Sequence, residues 1–245
     1  MLFNLVLLSF QNSFTLRSAI FLGEEITQRA RQISRGSRNP FIPPFTNSTH
    51  RRMKNLEFKG SQTEKNLLAA FAGESQARTR YTFFASQAKK EGFEQICGIF
   101  EETSANEKEH AQLFFVHLKG GLVEITAAYP AGIIGSTAEN LKASAEGEKF
   151  EWGTLYPNFG DVAEQEGFPA VAATFRAIAK VEAYHERRYL KLLESVTQGK
   201  VFKKDQPVKW KCRNCGYVFE GVEVPGTCPV CAHPRSFFEV WVENY

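Results

Sequence analysis

Two Glu-x-x-His pairs, Glu107 with His110 and Glu182 with His185, are the residues best placed to bind metal. On a helix, positions i and i+3 share a face, so each pair can serve one centre. A single pair of this kind is also an ordinary surface salt-bridge position. Two copies carry more weight because their surroundings repeat. Glu107 and Glu182 each lie fifteen residues past the glycine of a Glu-Gly-Phe, at Glu91-Gly92-Phe93 and Glu166-Gly167-Phe168. Upstream, each half carries a Gly-Glu, at Gly73-Glu74 and Gly147-Glu148. Four carboxylates neutralise two divalent ions, and an oxygen-rich set with two imidazoles suits iron.

Several further residues stand beside this set. Glu151 lies three positions after Glu148, whereas Ala77 holds the matching place in the first half. It reads as a seventh ligand that breaks the symmetry, or as a solvent-facing acid. Tyr81 and Tyr156 follow Glu74 and Glu148 by seven and eight residues. Each reads as a hydrogen-bond donor to a ligand carboxylate, or as a core tyrosine. His50, His117 and His233 have no such partner and read as structural.

A second chemistry sits in the tail. Cys212 and Cys215 form one Cys-x-x-Cys, Cys228 and Cys231 another, twelve residues apart. Two such pairs give tetrahedral thiolate ligation for zinc or iron. Gly216 and Pro229 permit tight knuckles whose backbone N–H groups point at sulfur and tune its redox potential. Trp210, Tyr217, Phe237, Phe238 and Trp241 supply a small aromatic core. Cys97, on an apolar helix, reads as an inert core thiol.

The elements that position these residues are legible as periodicity. Apolar residues recur at helical spacing over Thr63–Lys90 and Phe93–Leu118. Two further helices are expected over Ala138–Glu166 and Pro169–Thr197, with Pro169 in a first turn. About two dozen residues between the second and third helices are too many for a bundle turn, and read as a crossover. The halves therefore resemble a duplicated helical hairpin. One Glu from each of two helices, with a Glu-x-x-His from each of the others, is the ligand arrangement of ferritin-like di-metal bundles. The expected fold is mainly α: a ferritin-like four-helix bundle with a long crossover at 53–205, then a small metal-bound β domain at 206–245.

Residues 1–52 differ in composition. They contain seven arginines, no lysine and only Glu24 and Glu25 as acids. That is a transit-peptide composition. The alternative is a start at Met53, where domain-like sequence begins. The first reading implies an organellar, mitochondrion-like location and the second a cytoplasmic one. A net charge of +3 gives no case for nucleic acid, and no apolar run reaches the ~18 residues of a membrane span.

The strings AFAGESQAR, QAKKEGF, EKEHA, YPAGIIG and CRNCGYVFEG with CPVCAHP, in this order, resemble the rubrerythrin family from about Met53 to Tyr245. The resemblance implies two irons held by Glu74, Glu107, His110, Glu148, Glu151, Glu182 and His185, with Glu107 and Glu182 bridging. One iron would shift between Glu151 when oxidised and His110 when reduced. Cys212, Cys215, Cys228 and Cys231 would hold a rubredoxin-type iron. The implied activity is reduction of hydrogen peroxide to water in oxidative-stress defence. Electrons would come from NAD(P)H through a reductase or rubredoxin, in a homodimer or larger homo-oligomer. Two other readings remain: an iron-storage or ferroxidase protein, and a scaffold with a zinc ribbon for docking.

Overall fold

Ser61 and Ser136 start the two halves alike. In this computed structural model, which describes residues 57–244, each serine accepts the backbone N–H three residues on, Glu64 at 3.0 Å and Glu139 at 3.3 Å. Glu139 completes a capping box by accepting the Ser136 N–H at 2.8 Å. The helices are α1 (Gln62–Lys90), α2 (Glu94–Phe115), α3 (Thr137–Phe150), α4 (Tyr156–Gln165) and α5 (Pro169–Thr197). Helix α1 packs along α2, and α3 and α4 pack along α5, giving two hairpins. Residues 1–52, with the targeting and location expectations attached to them, lie outside the described residues.

The Glu-Gly-Phe repeats are helix stops. Gly92 and Gly167 take φ of +80° and +89°, where a Cβ would be strained. The following Phe93 and Phe168 N–H groups return to Ala88 O at 2.9 Å and Ala163 O at 2.8 Å. The glutamates then reach across the molecule. Glu91 accepts the Thr137 N–H at 3.0 Å, at the start of α3. Glu166 accepts the Thr63 N–H at 2.8 Å and its hydroxyl at 2.6 Å, at the start of α1. Each half thus caps the other half's first helix with an anion, where the helix dipole favours one. Glu166→Ala is expected to cost about 1 kcal/mol. That loss should appear as a Tm lowered by about 3 °C.

The third helix is not continuous, contrary to the expected span Ala138–Glu166. Glu151–Leu155 form a π turn between α3 and α4, and the Tyr156 N–H reaches back to Glu151 O. The second half has one residue more than the first between its Gly-Glu and its tyrosine, and the wider π turn absorbs it. The crossover, residues 116–136, runs over α1. Tyr129 there donates its hydroxyl to Ala69 O at 2.7 Å. A Cβ on Gly73 would lie 3.7 Å from the Tyr129 ring, so the strap runs within contact range of α1 at this point.

Two apolar clusters fill the bundle. One holds Tyr81, Phe84, Phe100 and Tyr189, the other Leu67, Phe114, Tyr156 and Phe175. The metal-type residues fall between these clusters along the helices: Glu74 between Ala70 and Ala77, Glu182 between Ile178 and Tyr189. A polar layer is therefore sealed above and below by dry packing.

The C-terminal unit is a three-stranded antiparallel sheet of order β2-β1-β3, from β1 (Lys203–Cys212), β2 (Val218–Glu223) and β3 (Phe238–Val240). The expected division at 205/206 falls inside β1. Trp210, Cys212, Val224, Cys228 and Phe238 form its core. It docks on the α1–α2 end of the bundle through a stack of Phe202 on Phe93, with centroids 6.0 Å apart. Arg213, paired with Glu239, lies against α2 where Gly98 leaves room. Among the described residues no helix is long and apolar enough to cross a membrane.

Candidate metal centres

Glu74 comes from α1, Glu107 and His110 from α2, Glu148 from α3, and Glu182 and His185 from α5. All six are buried, with exposures from 0% to 6%. Their donor atoms form two groups, each gathered within 4.8 Å: Glu74, Glu107, His110 and Glu182, and Glu107, Glu148, Glu182 and His185. Glu107 and Glu182 belong to both. The groups are related by the same pseudo-two-fold that relates the sequence halves.

The two tyrosines resolve a choice the sequence left open, and they do so by crossing between halves. Tyr81 donates to Glu148 Oε1 at 2.5 Å, and Tyr156 donates to Glu74 Oε1 at 2.5 Å. Each tyrosine fixes one oxygen of the opposite half's glutamate and leaves the other oxygen free. Replacing either by phenylalanine is expected to weaken metal uptake by about 10- to 100-fold. Competition against a chelator of known affinity measures that loss.

What remains free converges. Glu74 Oε2, Glu148 Oε2, both oxygens of Glu107 and of Glu182, and Nδ1 of His110 and of His185 are buried without a hydrogen-bond partner. Buried polar atoms are seldom left so, and this many aimed at one space is the mark of a cation site. His110 Nδ1 lies 2.8 Å from oxygens of Glu107 and Glu182, and His185 Nδ1 lies 2.8 Å from Glu182 and 3.2 Å from Glu107. Donors that share an ion at about 2.1 Å in octahedral geometry sit about 3 Å apart. The donor set fits two hard, imidazole-accepting divalent ions.

The metal-free electrostatics follow from the same crowding. Desolvation, then the neighbouring carboxylates, pushes Glu74 and Glu148 well above the usual carboxylate range. Desolvation opposes charge on the histidines, but contact with Glu107 and Glu182 outweighs it and raises His110 to about 10 and His185 to about 9. Glu107, though desolvated, is held low by those two imidazoles.

Glu151 stands apart. It is half-buried, lies outside both donor groups, and lines a cavity beside the bundle. Desolvation, then Glu182 and Glu107, pushes its carboxyl up, while Arg80 pulls it down. Its π turn is tied to α5 by Trp152, which donates Nε1–H to Glu186 at 2.7 Å. Neither the turn nor this tie was foreseen, although the offsets of seven and eight residues to the tyrosines carried the signal for the turn.

Cys212, Cys215, Cys228 and Cys231 gather their sulfurs within 4.8 Å. Cys212 and Cys231 are 3.8 Å apart, and Cys215 and Cys228 are 3.7 Å apart. A thiolate tetrahedron with bonds of about 2.3 Å has edges of about 3.8 Å. The two knuckles repeat one geometry. Gly216 N–H bonds Cys212 O and Ala232 N–H bonds Cys228 O, at 2.9 and 3.0 Å. Gly216 has φ +79°, and Ala232 takes φ +57°. The second knuckle is thus turned by an alanine in glycine's conformation, with Pro229 one position past its first cysteine. The backbone N–H of His233 lowers the Cys231 thiol to about 6. Cys97 is buried, and its desolvation, with Glu101 and Glu94 nearby, pushes that thiol up to about 11, as an inert core residue requires. His117 bonds Thr174 at 2.9 Å and His233 contacts Cys231 O at 3.1 Å, so both sit in structural roles. His50 lies outside the described residues.

With these two centres in place, comparison with known proteins is decisive. The Rubrerythrin family profile matches residues 65–193, and the rubredoxin-like domain of rubrerythrin matches residues 210–239. The rubrerythrin of Porphyromonas gingivalis is 62% identical over 191 residues, 78% of this chain and 96% of that one. The chain belongs to the rubrerythrin family. A solved mixed-valence state of nigerythrin aligns with 84% of this chain and 100% of its own length, at 29% identity and a TM-score of 0.50. Desulfovibrio desulfuricans bacterioferritin, at 18% identity and a TM-score of 0.52, covers 57% of this chain and 82% of its own, and shows the ferritin-like fold alone. As a rubrerythrin the chain combines a ferritin-like di-iron site of Glu and His groups with a four-cysteine rubredoxin-like site.

Proposed function

We propose that this rubrerythrin is a non-haem di-iron peroxidase that reduces hydrogen peroxide to water, with electrons relayed from an iron at the four cysteines. The observation that carries the reading is the pair of donor groups sharing Glu107 and Glu182, on one chain with a redox-type thiolate cluster. The ligands are Glu74, Glu107, His110, Glu148, Glu182 and His185, with Glu151 as a seventh at the cavity side. A bound iron pair supplies two electrons, the number that cleaving one O–O bond consumes.

The chain's own residues do the rest. Glu107 and Glu182 hold the two positions close together. Tyr81 and Tyr156 keep Glu148 and Glu74 each presenting one oxygen. The two aromatic clusters exclude bulk water from the polar layer, which strengthens every charge interaction within it. Glu151, half-buried at the cavity wall, is where the site is least sealed, and its carboxylate is the group placed to move a proton between cavity and site. Reducing equivalents from NAD(P)H would arrive through a separate reductase or rubredoxin, and a homodimer or larger homo-oligomer is the proposed assembly.

Stopped-flow mixing of the reduced, iron-loaded protein with hydrogen peroxide tests this. Oxidation of both centres, with one peroxide consumed per two electrons, is the expected result. Slow, non-stoichiometric oxidation by peroxide would remove the peroxidase assignment.

A further inference from the structure

The cavity that touches Glu151 has a volume of about 1030 Å³. A water molecule's share of liquid is about 30 Å³, and hydrogen peroxide is only slightly larger. The cavity is of the size that holds organic ligands, for which about 300–1,000 Å³ is usual. Its walls are α1, the crossover strap and the π turn. Ile125, Pro130, Phe150, Leu155 and Phe159 give it apolar surface at the strap and π-turn side, and its α1 side is polar and charged, with Lys59, Glu64, Lys65, Gln76 and Arg80. Gln76 accepts from Arg80 Nε at 2.7 Å.

The cavity reaches the polar layer at Glu151. Its lining includes Glu151 and Tyr156, and also Gly73 and Gly147, the residues that precede Glu74 and Glu148. A small head group can therefore face the Glu151 carboxylate while an apolar body lies under the strap.

We propose that the cavity binds the organic part of apolar hydroperoxides, and that this chain reduces ROOH as well as hydrogen peroxide. The inference rests on the peroxidase reading above. The balanced step is ROOH + 2e⁻ + 2H⁺ → ROH + H₂O. The O–O bond breaks, the terminal oxygen leaves as water, and the carbon-bound oxygen is retained in the alcohol. The two electrons come one at a time from a one-electron donor protein through the four-cysteine site, and the protons come from solvent. The organic group stays in the cavity until the alcohol leaves.

The test uses full-length, iron-loaded protein with cumene hydroperoxide and, separately, hydrogen peroxide. The expected result is turnover of both, with one cumyl alcohol formed per hydroperoxide. Ala69→Phe narrows the cavity from α1, and Ile125→Glu places a charge in its apolar wall from the irregular strap. Each should lower kcat/KM for cumene hydroperoxide at least tenfold and change that for hydrogen peroxide less than twofold. Calorimetric titration with cumyl alcohol gives a readout independent of turnover, and both variants should weaken its binding at least tenfold. Inertness toward cumene hydroperoxide while hydrogen peroxide is reduced would overturn the inference and leave the peroxidase reading standing. Cumyl alcohol binding or cumene hydroperoxide turnover unaffected in both variants would overturn it too. Loss of activity on both peroxides in the unmodified protein strikes the peroxidase reading instead.

Discussion

Glu107→Ala should empty both metal positions of the bundle, whereas Glu74→Ala should empty one. The difference follows from membership. Glu107 stands in both donor groups, and Glu74 stands only in the group with His110. Without Glu74, the group Glu107, Glu148, Glu182 and His185 is intact. Without Glu107, each group loses an oxygen and the link between them. Metal analysis of the two purified variants should give about zero and about one bundle ion per chain, where the unmodified chain gives about two. The four-cysteine metal should be retained in both, because its ligands are far along the chain and have their own core. Peroxide turnover in Glu107→Ala should fall at least 100-fold, beyond the effect of losing a group that merely supports a ligand. The metal-free variant should also be less stable by about 3 kcal/mol, because two buried imidazoliums lose one of the two carboxylates they share and keep only Glu182. Glu107→Gln keeps the volume but removes the charge, so it separates the cavity that alanine leaves from the loss of the anion. Two bundle ions per chain in Glu107→Gln and Glu107→Ala would refute the shared-ligand geometry.

Much of this site was legible because duplication turns weak signals into a strong one. The two Glu-x-x-His pairs, the two Gly-Glu pairs and the two Glu-Gly-Phe stops report on one another, and helical spacing fixes which share a face. Helix ends were legible because Gly92 and Gly167 need a left-handed backbone, and their positions sit in plain sight. What sequence could not supply was partnership between halves. Nothing local says that Tyr81 serves Glu148 or that Glu166 caps α1. Those pairings arise only when two hairpins pack about a pseudo-two-fold. The π turn lay between the two cases. One surplus residue was countable, but whether it would form a bulge or a loop depends on tertiary packing, here the tie from Trp152 to Glu186. The residue that breaks the symmetry, Glu151, begins that turn. Its distinct environment is a consequence of the extra residue as much as of its own chemistry.

The advantage in stability that metal gives should grow as pH rises from about 5.5 to 8. In the metal-free chain His110 and His185 are raised to about 10 and about 9 from an ordinary 6.5. A group raised on folding stabilises fully below its unfolded value, and that contribution is lost as pH climbs through the folded one. For the histidines the loss therefore runs from about 6.5 to about 10. Glu74, Glu148 and Glu151 are raised as well, so their contribution begins to fall above the ordinary carboxylate value of 4.5. Glu107 is lowered and acts in the opposite sense, its contribution being lost only below 4.5. Across 5.5 to 8 the metal-free bundle should thus lose stability. Binding requires neutral imidazoles and ionised carboxylates, so filling the site near pH 7 expels at least the protons of His110 and His185, about two per pair of ions. Affinity must therefore rise with pH over the same interval. The two trends add. Thermal unfolding of metal-free and cobalt- or ferrous-loaded protein, followed anaerobically at pH 5.5 and pH 8, should show a wider gap in Tm at pH 8. Proton release on titrating metal into a weakly buffered, dye-containing solution at pH 7 gives the stoichiometry directly. A gap that narrows with pH, or uptake without proton release, would mean that the buried carboxylates and imidazoles are not the groups that receive the metal.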